Sequence, residues 1–407
     1  MWIANFLVAA SATMIMPFLS LYIETMGEFS DEYVQRWAGF VFGVTFLTAF
    51  IMSPIWGRFA DKYGYKKILI ITGFGIALSI FLMGFMHSVY ALFFLRLLMG
   101  AVTGFIPTSL AFISSQTPKE IAGKTLGTLQ TGSVSGSLFG PLIGGLMADT
   151  FGFRYTFVYT SISIAIATLL VLIAIKETRA SVEKKKAEKH YSRKEVLAYI
   201  FNNRILLTIM FISLLVQVGI FSIQPLLALY VNQLNGSENV AFLAGFAFSA
   251  TGFGNLLATR QWGKLGDSIG YEKVLKILLI LAASAFIPQA LVGEVWQLIL
   301  FRFLLGIAVG GIIPTMTAYI RNVAPLSMQG EVLGYNTSFR FLGNVIGPTL
   351  GGIISGFFGI SSVFYITSSL FLLAFGLLWW SIRKEVKSEK HKNWKQSFSS
   401  NTSMNSK

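Results

Sequence analysis

Long stretches without a charged side chain constrain the fold of this sequence more than any other feature. Runs free of Asp, Glu, Lys and Arg cover residues 2–23, 37–57, 125–148 and 205–237, among others. About 20 apolar residues cross the hydrocarbon of a bilayer as a helix. Only helices and closed barrels can cross, because backbone groups find no water there. The alternation expected of a barrel strand is absent, so we predict an all-α integral membrane protein with twelve transmembrane helices.

The second half of the chain repeats the first at a shift of 206 to 208 residues. The stretch Trp56–Asp61 returns as Trp262–Asp267, and Pro17–Tyr22 returns as Pro225–Tyr230. The other residues that return are Arg96, Gly100, Gly104, Pro107, Gly127, Gly136, Gly140, Pro141, Gly144 and Gly145, matched by Arg302, Gly306, Gly310, Pro314, Gly334, Gly343, Gly347, Pro348, Gly351 and Gly352. Two parallel six-helix halves are typical of a transporter that rocks around a site between them.

The repeat and the polar segment in the middle of the chain divide the sequence into four parts. We predict pseudo-symmetric six-helix bundles at residues 1–177 and 204–383. Residues 178–203 form the linker between them, and residues 384–407 form a tail. The Lys and Glu content of the linker predicts a solvated, partly helical segment and not a third domain.

The distribution of basic residues predicts the orientation in the membrane. Nine Lys or Arg lie in residues 176–204 and seven lie from Arg383 onward, whereas the opposite set of loops holds only Arg36 and Arg154. Because basic loops stay in the cytoplasm, we expect both termini and the linker on the cytoplasmic side of the plasma membrane. The net charge of +14 therefore reflects topology first. No basic and aromatic stretch resembles a nucleic-acid reading surface, so nucleic acid is not an expected partner. The expected partners are the lipid bilayer and small molecules, and we expect a monomer.

An enzyme inside the membrane is disfavoured by the residue types that are present. The chain has no Cys, and two of its three His lie in Lys-rich stretches. No paired carboxylates or nucleophile with a neighbouring base can be recognised. We therefore expect no catalytic residue, no metal and no cofactor, and a non-transporting receptor is the remaining alternative outside transport.

The segment that runs from Gly57 to Lys67 resembles the signature between the second and third helices of the major facilitator superfamily. The resemblance covers nearly the whole chain, from Pro17 to the end of the twelfth span, and implies the major facilitator fold. It implies that Asp61 locks the outward-facing state by contacting the N-terminus of the eleventh helix, where the helix dipole favours a carboxylate. Tyr65 stands where the family often has Arg, so a cationic partner of Asp61 has to be Lys62, Lys66 or Lys67. The predicted gating residues are Gly57, Asp61, Gly64, Lys66 and Lys67, and an ordinary turn with lysines on the cytoplasmic side is the alternative.

Arg96 resembles the fourth-helix Arg of proton-coupled members of the superfamily, which implies a role in proton transfer or in tuning a nearby acid. A structural Arg that bonds backbone carbonyls is the alternative. A mid-span Arg costs about 2.5–3.5 kcal/mol on insertion scales, so it should face protein or water. No acidic residue lies in the middle of the first, fourth, seventh or tenth span. The candidate groups for proton coupling are therefore Arg96, Asp61, Glu24 and Asp149, and proton coupling itself is implied mainly by the resemblance.

The fifth span carries a spacing of glycines that resembles the antiporter signature of the superfamily. The residues are Gly127, Gly136, Gly140, Pro141, Gly144 and Gly145. Small residues every four positions make a flat face for close packing, and Pro141 can bend the helix. The resemblance places the chain in the drug/proton antiporter group, although a generic packing face explains the same spacing.

Arg340 is a charge of the second half alone, because its repeat counterpart is Ser133. The stretch from Gly334 to Asn344 resembles the corresponding helix of bacterial MdtG-type multidrug exporters. A buried cation without an adjacent acid can bind an anionic group of a substrate or a carboxylate on another helix.

Aromatic and amide side chains offer further candidates for binding a substrate. Apolar and aromatic walls with few polar anchors suit amphipathic ligands. The predicted substrate-binding residues are Arg340, Gln130, Gln217, Gln224, Asn344, Phe18, Tyr22, Phe221 and Tyr335. Most Phe side chains in a membrane bundle face lipid or core, which is the alternative for each aromatic residue here.

The sequence thus predicts a secondary active transporter that exports amphipathic, drug-like molecules by alternating access, driven by inward proton flow. A specific exporter or importer of a sugar, metabolite or small anion is the alternative within transport, with Arg340 as the anion clamp.

Overall fold

A computed structural model of the chain describes residues 1–175, 177, 193–236 and 238–404. Every regular element in these ranges is a helix. The first half contains α1 (Trp2–Met14), α2 (Leu19–Glu24), α3 (Asp31–Tyr63), α4 (Tyr65–Met83), α5 (Val89–Ala101), α6 (Phe105–Gln116), α7 (Lys119–Phe151) and α8 (Phe153–Ala174). The second half contains α10 (Arg204–Ser222), α11 (Leu227–Asn235), α12 (Val240–Ile269), α13 (Tyr271–Gln289), α14 (Val295–Val323), α15 (Gln329–Phe358) and α16 (Ile360–Met404).

Between the halves, α9 (Arg193–Asn202) lies within the predicted linker. The basic run Lys184–Lys186 of that linker lies outside the described residues.

The membrane character of the chain is clear from the length and composition of its helices. Among the described residues, nine helical segments are long and apolar enough to cross a bilayer, of which Val89–Gln116 joins α5 to α6 and Arg204–Asn235 joins α10 to α11. The prediction of an all-α membrane protein is confirmed. The first, fifth and ninth predicted spans correspond to α1–α2, α7 and α13. With these three, the count reaches twelve, but their crossing of the membrane stays a prediction.

The repeat of the sequence is also a repeat of contacts. Trp56 Nε1 donates a hydrogen bond to Ala101 O at 2.7 Å, and Trp262 Nε1 donates to Ile307 O at 2.7 Å. Each tryptophan therefore ties the second helix of its half to the fourth.

Glycine makes the tight turn between the second and third helix of each half. Gly64 has φ +98° and Gly270 has φ +97°, values that only glycine adopts at little cost. We call the end of the molecule that carries these two turns and α9 the linker end. The opposite end, with the turns at Gly152 and Gly359, is the far end.

Candidate functional site

At the far end, the two halves are joined where α3 crosses α15. A Cβ on Gly39 would overlap the carbonyl oxygen of Pro348, and a Cβ on Gly352 would lie 2.6 Å from Gln35 O. The helix backbones therefore touch, and only residues without a side chain permit this approach. The guanidinium of Arg36, on α3, lies 4.2 Å from the ring centre of Phe357, on α15.

The second far-end crossing, of α7 with α12, is built in the same way. A Cβ on Gly145 would overlap the carbonyl oxygen of Ala241, and one on Gly245 would overlap that of Pro141. The hydroxyl of Ser249 donates a hydrogen bond to Leu138 O at 2.7 Å. Because the glycines occur in both halves, the two crossings form a pair related by the repeat.

Asp149 joins the halves through the N-terminus of α12. Its carboxylate oxygens accept hydrogen bonds from Ala241 N at 3.2 Å and from Phe242 N at 2.7 Å. The residue before the helix, Asn239, makes no side-chain cap. A carboxylate from the first half thus satisfies N–H groups that a helix leaves open at its start, and it interacts favourably with the helix dipole.

An aromatic layer follows these crossings toward the middle of the molecule. Phe46 meets Phe221 edge to face at 5.1 Å between ring centres, and Phe139 meets Phe253 at 5.9 Å. Phe50 and Phe341 lie 6.4 Å apart. Each of the three pairs joins one half to the other, so the layer closes the space between the halves from the far side.

Toward the linker end, the glycines of the same four helices have no neighbouring element against them. The place that a Cβ would take on Gly57, Gly127, Gly263 or Gly334 has no atom of another element within 4 Å. Gln130 is exposed, and it lies on the same face of α7 that contacts α12 nearer the far end. The halves are therefore in contact at the far end and apart at these glycines. We call the space between the halves on the linker side of the aromatic layer the cavity.

Within the second half, a polar stripe lies at the contact of α10 with α15, and its four hydrogen-bonded residues are buried. The hydroxyl of Ser213 donates to Asn336 Oδ1 at 2.7 Å, and Gln217 Nε2 donates to Asn344 Oδ1 at 3.0 Å. Arg340 lies one helical turn from both asparagines, is half-buried, and its Nε makes no hydrogen bond. Three predicted residues, Arg340, Gln217 and Asn344, are thus brought together, and Ser213 and Asn336 join them although the sequence analysis did not single them out.

Four further predicted substrate-binding residues have different surroundings. Phe221 belongs to the aromatic layer, and Gln224 lies in a 3₁₀ turn between α10 and α11 with a buried Oε1 that has no partner. Tyr335 is half-buried and packs on the core of the second half. Phe18 is fully buried against Phe153 and Phe157.

Tyr22 donates hydrogen bonds to the carbonyl oxygens of Met83 and Met86, each at 2.9 Å. Its repeat counterpart Tyr230 donates to Gln289 O at 2.7 Å. In this conformation Phe18 and Tyr22 therefore lie inside the packing of the first half and not in the wall of the cavity.

The two repeat-related arginines are buried inside their own halves. Arg96 is 4% exposed and Arg302 is 6% exposed, and the Nε and one terminal nitrogen of each have no hydrogen-bond partner. The guanidinium of Arg96 lies 5.7 Å from the ring centre of Phe42. No ion pair to either arginine occurs among the residues that the structure describes.

The predicted acids lie at helix ends, as the sequence indicated. Glu24 is the last residue of α2, and Asp149 is near the end of α7. Asp61, near the end of α3, accepts a hydrogen bond from the hydroxyl of Tyr65 at 2.7 Å. The same contact, Tyr271 to Asp267, occurs in the second half. The residue that replaces the expected Arg is therefore the partner of Asp61 in this conformation.

Glu177 lies beside the predicted gating residues and was not among the residues predicted from the sequence. Its carboxylate accepts hydrogen bonds from Tyr65 N at 2.8 Å and Lys66 N at 3.1 Å, so it caps α4. A Cβ on Gly64 would lie 2.8 Å from the carboxylate. Lys66 contributes its backbone here, and the neighbouring Lys67 is exposed. The available signal was an isolated acid directly after the sixth span.

The glycines of the predicted antiporter signature face three different surroundings. Those at 136, 140 and 144 pack on the backbone of α1, at Phe6, Ala10 and Met14. Gly145 and Pro141 meet α12, and Gly127 faces the open cavity. The signature therefore serves packing within the first half and contact between the halves at once.

Comparison with known proteins gives concordant matches over nearly the whole chain. The model of the Major Facilitator Superfamily matches residues 1–259 and 241–404. An uncharacterized MFS-type transporter of Bacillus subtilis, YuxJ, is 62% identical over 379 residues, which are 93% of this chain and 96% of the relative. Multidrug resistance protein MdtG of Salmonella typhi is 40% identical over 384 residues, 94% of each chain.

Solved structures with the same fold have much lower sequence identity. The nucleoside transporter NupG matches with a TM-score of 0.77 and 14% identity, covering 94% of this chain and 98% of that one. A bacterial homologue of the lysosomal transporter Spinster, inward-facing and occupied, matches with a TM-score of 0.78 and 14% identity, covering 94% and 95%.

Proposed function

Because the chain belongs to the Major Facilitator Superfamily and is a multi-pass membrane transporter, we propose that it is a proton-coupled exporter of amphipathic, drug-like molecules. The observation that supports drug export is its 40% identity over 94% of the chain to a protein named for multidrug resistance. Its similarity is to transporters and not to enzymes.

The cavity between the halves supports alternating access as the mechanism. We propose that residues 1–177 and 204–383 are the two rocking units, and that residues 178–203 connect them. With the basic linker on the cytoplasmic side, the structure corresponds to an inward-facing state. A substrate enters from the cytoplasm or the inner leaflet, the linker end closes, and the crossings at the far end separate to release it.

The coupling ion in this proposal is the proton, and no other cofactor takes part. The protein acts as a monomer in a bacterial plasma membrane with both termini in the cytoplasm. Asp61, which accepts a hydrogen bond from Tyr65 in this conformation, locks the linker end in the outward-facing state. Arg96 takes part in proton transfer within the first half.

Export from intact cells tests the proposal directly. Cells that produce the protein are loaded with a panel of fluorescent dyes, energised, and followed with and without an uncoupler of the proton gradient. We expect faster efflux than from cells with an empty vector, and loss of the difference on addition of the uncoupler. Efflux that is unaffected by the uncoupler would refute proton coupling, and equal efflux from both strains for every dye would refute drug export.

A further inference from the structure

We propose that the polar stripe around Arg340 is a binding site for the anionic group of an organic anion, so that the preferred substrates carry a carboxylate or a similar oxyanion. This inference rests on the proposed transport function and names the chemical class of its substrate. The anionic group would bind at the contact between α10 and α15, on the linker side of the aromatic layer.

The hydrogen bonds of the stripe leave Arg340 as its unpaired donor. One turn toward the linker end, Asn336 is bonded to Ser213, and one turn toward the far end, Asn344 is bonded to Gln217. Since residues four apart lie on one face of a helix, Asn336, Arg340 and Asn344 follow one another along the same face of α15. Each asparagine has a hydrogen-bond partner on α10, whereas the buried Nε of Arg340 has no hydrogen-bond partner.

No acid of the protein is placed to neutralise this charge. Up to Lys384, each Asp and Glu in the described part of the chain lies within three residues of a helix end or outside a helix. Arg340 is the twelfth residue of the 30-residue helix α15, which puts it about 17 Å from the start of that helix. A carboxylate on another helix, the alternative that the sequence left open, is therefore absent from the described surroundings of Arg340.

An oxyanion satisfies this site better than any other ligand group. A guanidinium presents its N–H groups as a planar fork that binds a carboxylate with two parallel hydrogen bonds. A bound ammonium group would bring a second positive charge into a poorly solvated space with no counter-charge. Arg96 and Arg302, also unpaired, make the field of the membrane region more positive still.

The rings next to the stripe suit the apolar body of such an anion. Phe341, adjacent to Arg340 in sequence, faces Phe50 across the cavity at 6.4 Å, and Phe46 and Phe221 meet nearby. Anchor and aromatic surface thus lie side by side at the closed end of the cavity, which is the arrangement expected for an amphipathic anion.

A set of three probes with the same aromatic body isolates the contribution of charge. Naphthylacetate is the anion, naphthylacetamide the neutral analogue and naphthylmethylammonium the cation. Binding to the purified full chain in lipid nanodiscs is measured by calorimetry. We expect the anion to bind tightest, and Arg340→Gln to weaken the anion alone by roughly ten- to a hundredfold, the range for hydrogen bonds to a charged group.

Two further variants separate loss of the site from loss of the fold. Arg340→Lys keeps the charge without the fork and should give intermediate anion affinity. Asn344→Asp places a carboxylate one turn from Arg340, so it should weaken the anion and strengthen the cation while leaving the guanidinium in place. Arg383→Gln, whose guanidinium lies on Trp379 outside the cavity, is the matched control, and thermal unfolding monitors every variant.

The outcomes distinguish this inference from the proposed function. Equal affinity of the wild-type protein for all three probes would overturn the anion site, and so would an equal loss for all three in a well-folded Arg340→Gln protein. Charge-selective binding together with efflux that ignores the uncoupler would keep the site and refute proton coupling. Uncoupler-sensitive efflux of dyes without any charge preference would do the reverse.

Discussion

At the scale of single residues, two sets of polar side chains within the spans contrast with each other. The amides and hydroxyls of the α10–α15 contact are paired with each other, whereas Arg96, Arg302 and Arg340 each keep an unpaired nitrogen. A buried donor without a partner is costly. A ligand group that accepts a hydrogen bond from one of these arginines would therefore stabilise the protein.

Glu177 offers the simplest prediction at this scale, because it caps α4 from another element. Glu177→Ala removes the acceptor of two N–H groups and should lower the free energy of unfolding by about 1 kcal/mol, the usual loss for a helix cap. Glu177→Gln keeps an acceptor oxygen without the charge and should lose less. The measurement is thermal unfolding in detergent, and Glu238→Ala serves as the control. An unchanged transition in Glu177→Ala would show that the cap does not stabilise α4.

Asp149 can act as a cap of α12 or as a carrier of the transported proton, and the two roles lead to different results for one variant. As a cap on α12 it holds the far end closed, so Asp149→Asn should favour opening of that end by about 1 kcal/mol while transport stays sensitive to the uncoupler. If Asp149 carried the transported proton, the Asp149→Asn protein would still move substrate but would show no coupled proton flux. We expect the first result, measured as proton flux and substrate flux in proteoliposomes, with Glu238→Gln as the control.

At the scale of elements, α7 shows how one helix can serve several contacts. Its glycines at 136, 140 and 144 fit α1, Gly145 fits α12 and Gly127 fits nothing. Because the first contact lies within a half and the second between halves, only the second has to break during rocking. The spacing of the glycines predicted close packing, but it held no information on which neighbour each glycine meets.

Substitution of single glycines on α7 tests this division. A methyl group at Gly145 overlaps the backbone of Ala241, and overpacking of this kind costs about 1–3 kcal/mol. Gly145→Ala should therefore shift the conformational equilibrium toward the far-end-open state by roughly five- to a hundredfold. Gly127→Ala, in the same signature but without a neighbour in this conformation, is the matched control and should leave the far end as closed as in the wild-type protein.

The distance between spin labels at Thr25→Cys and Gln233→Cys reports the opening at the far end. The chain has no native Cys, so these are the only labelled positions. We expect a longer distance in Gly145→Ala and the wild-type distance in Gly127→Ala. A wild-type distance in Gly145→Ala would mean that the α7–α12 crossing adapts without opening.

The elements also show which parts of the fold could be predicted from the sequence. Charge-free runs and the repeat predicted the helical membrane fold and the place of each helix, because burial in lipid leaves little choice of side chain or backbone. They did not predict the interruption of the first span between Met14 and Leu19 or that of the fourth between Ala101 and Phe105. At the fourth, the hydroxyl of Thr103 bonds back to Met99 O, a local competition that hydropathy does not register.

The candidate site was predicted only in part for a similar reason. Arg340, Gln217 and Asn344 were identified because a polar group inside a span needs a reason to be there. Phe18 and Tyr22 were expected at the cavity but pack within the first half, because an aromatic side chain suits lipid, core and cavity equally. Glu177 escaped notice because its partners are backbone N–H groups more than 110 residues away.

At the scale of the whole molecule, the far end is held by two crossings and the linker end by neither. Each crossing is built around glycine-to-backbone contacts, whose dispersion attraction falls off steeply as the helix backbones separate. The contact is therefore either made or lost, as expected of a two-state element. Alternating access requires that both crossings separate in every transport cycle.

A disulfide across α3 and α15 tests that requirement for the whole molecule. A Cβ on Gly356 would lie 3.0 Å from Cγ of Arg36, so Arg36→Cys with Gly356→Cys brings two Cβ atoms to about the separation of a disulfide. Oxidation should abolish transport by fixing the far end closed, and a reductant should restore it. The two single variants, treated with the same oxidant, control for loss of the Arg36 contact with Phe357. Full transport by the cross-linked protein would mean that the α3–α15 crossing stays closed throughout, and a rocking motion of the two halves would then be ruled out.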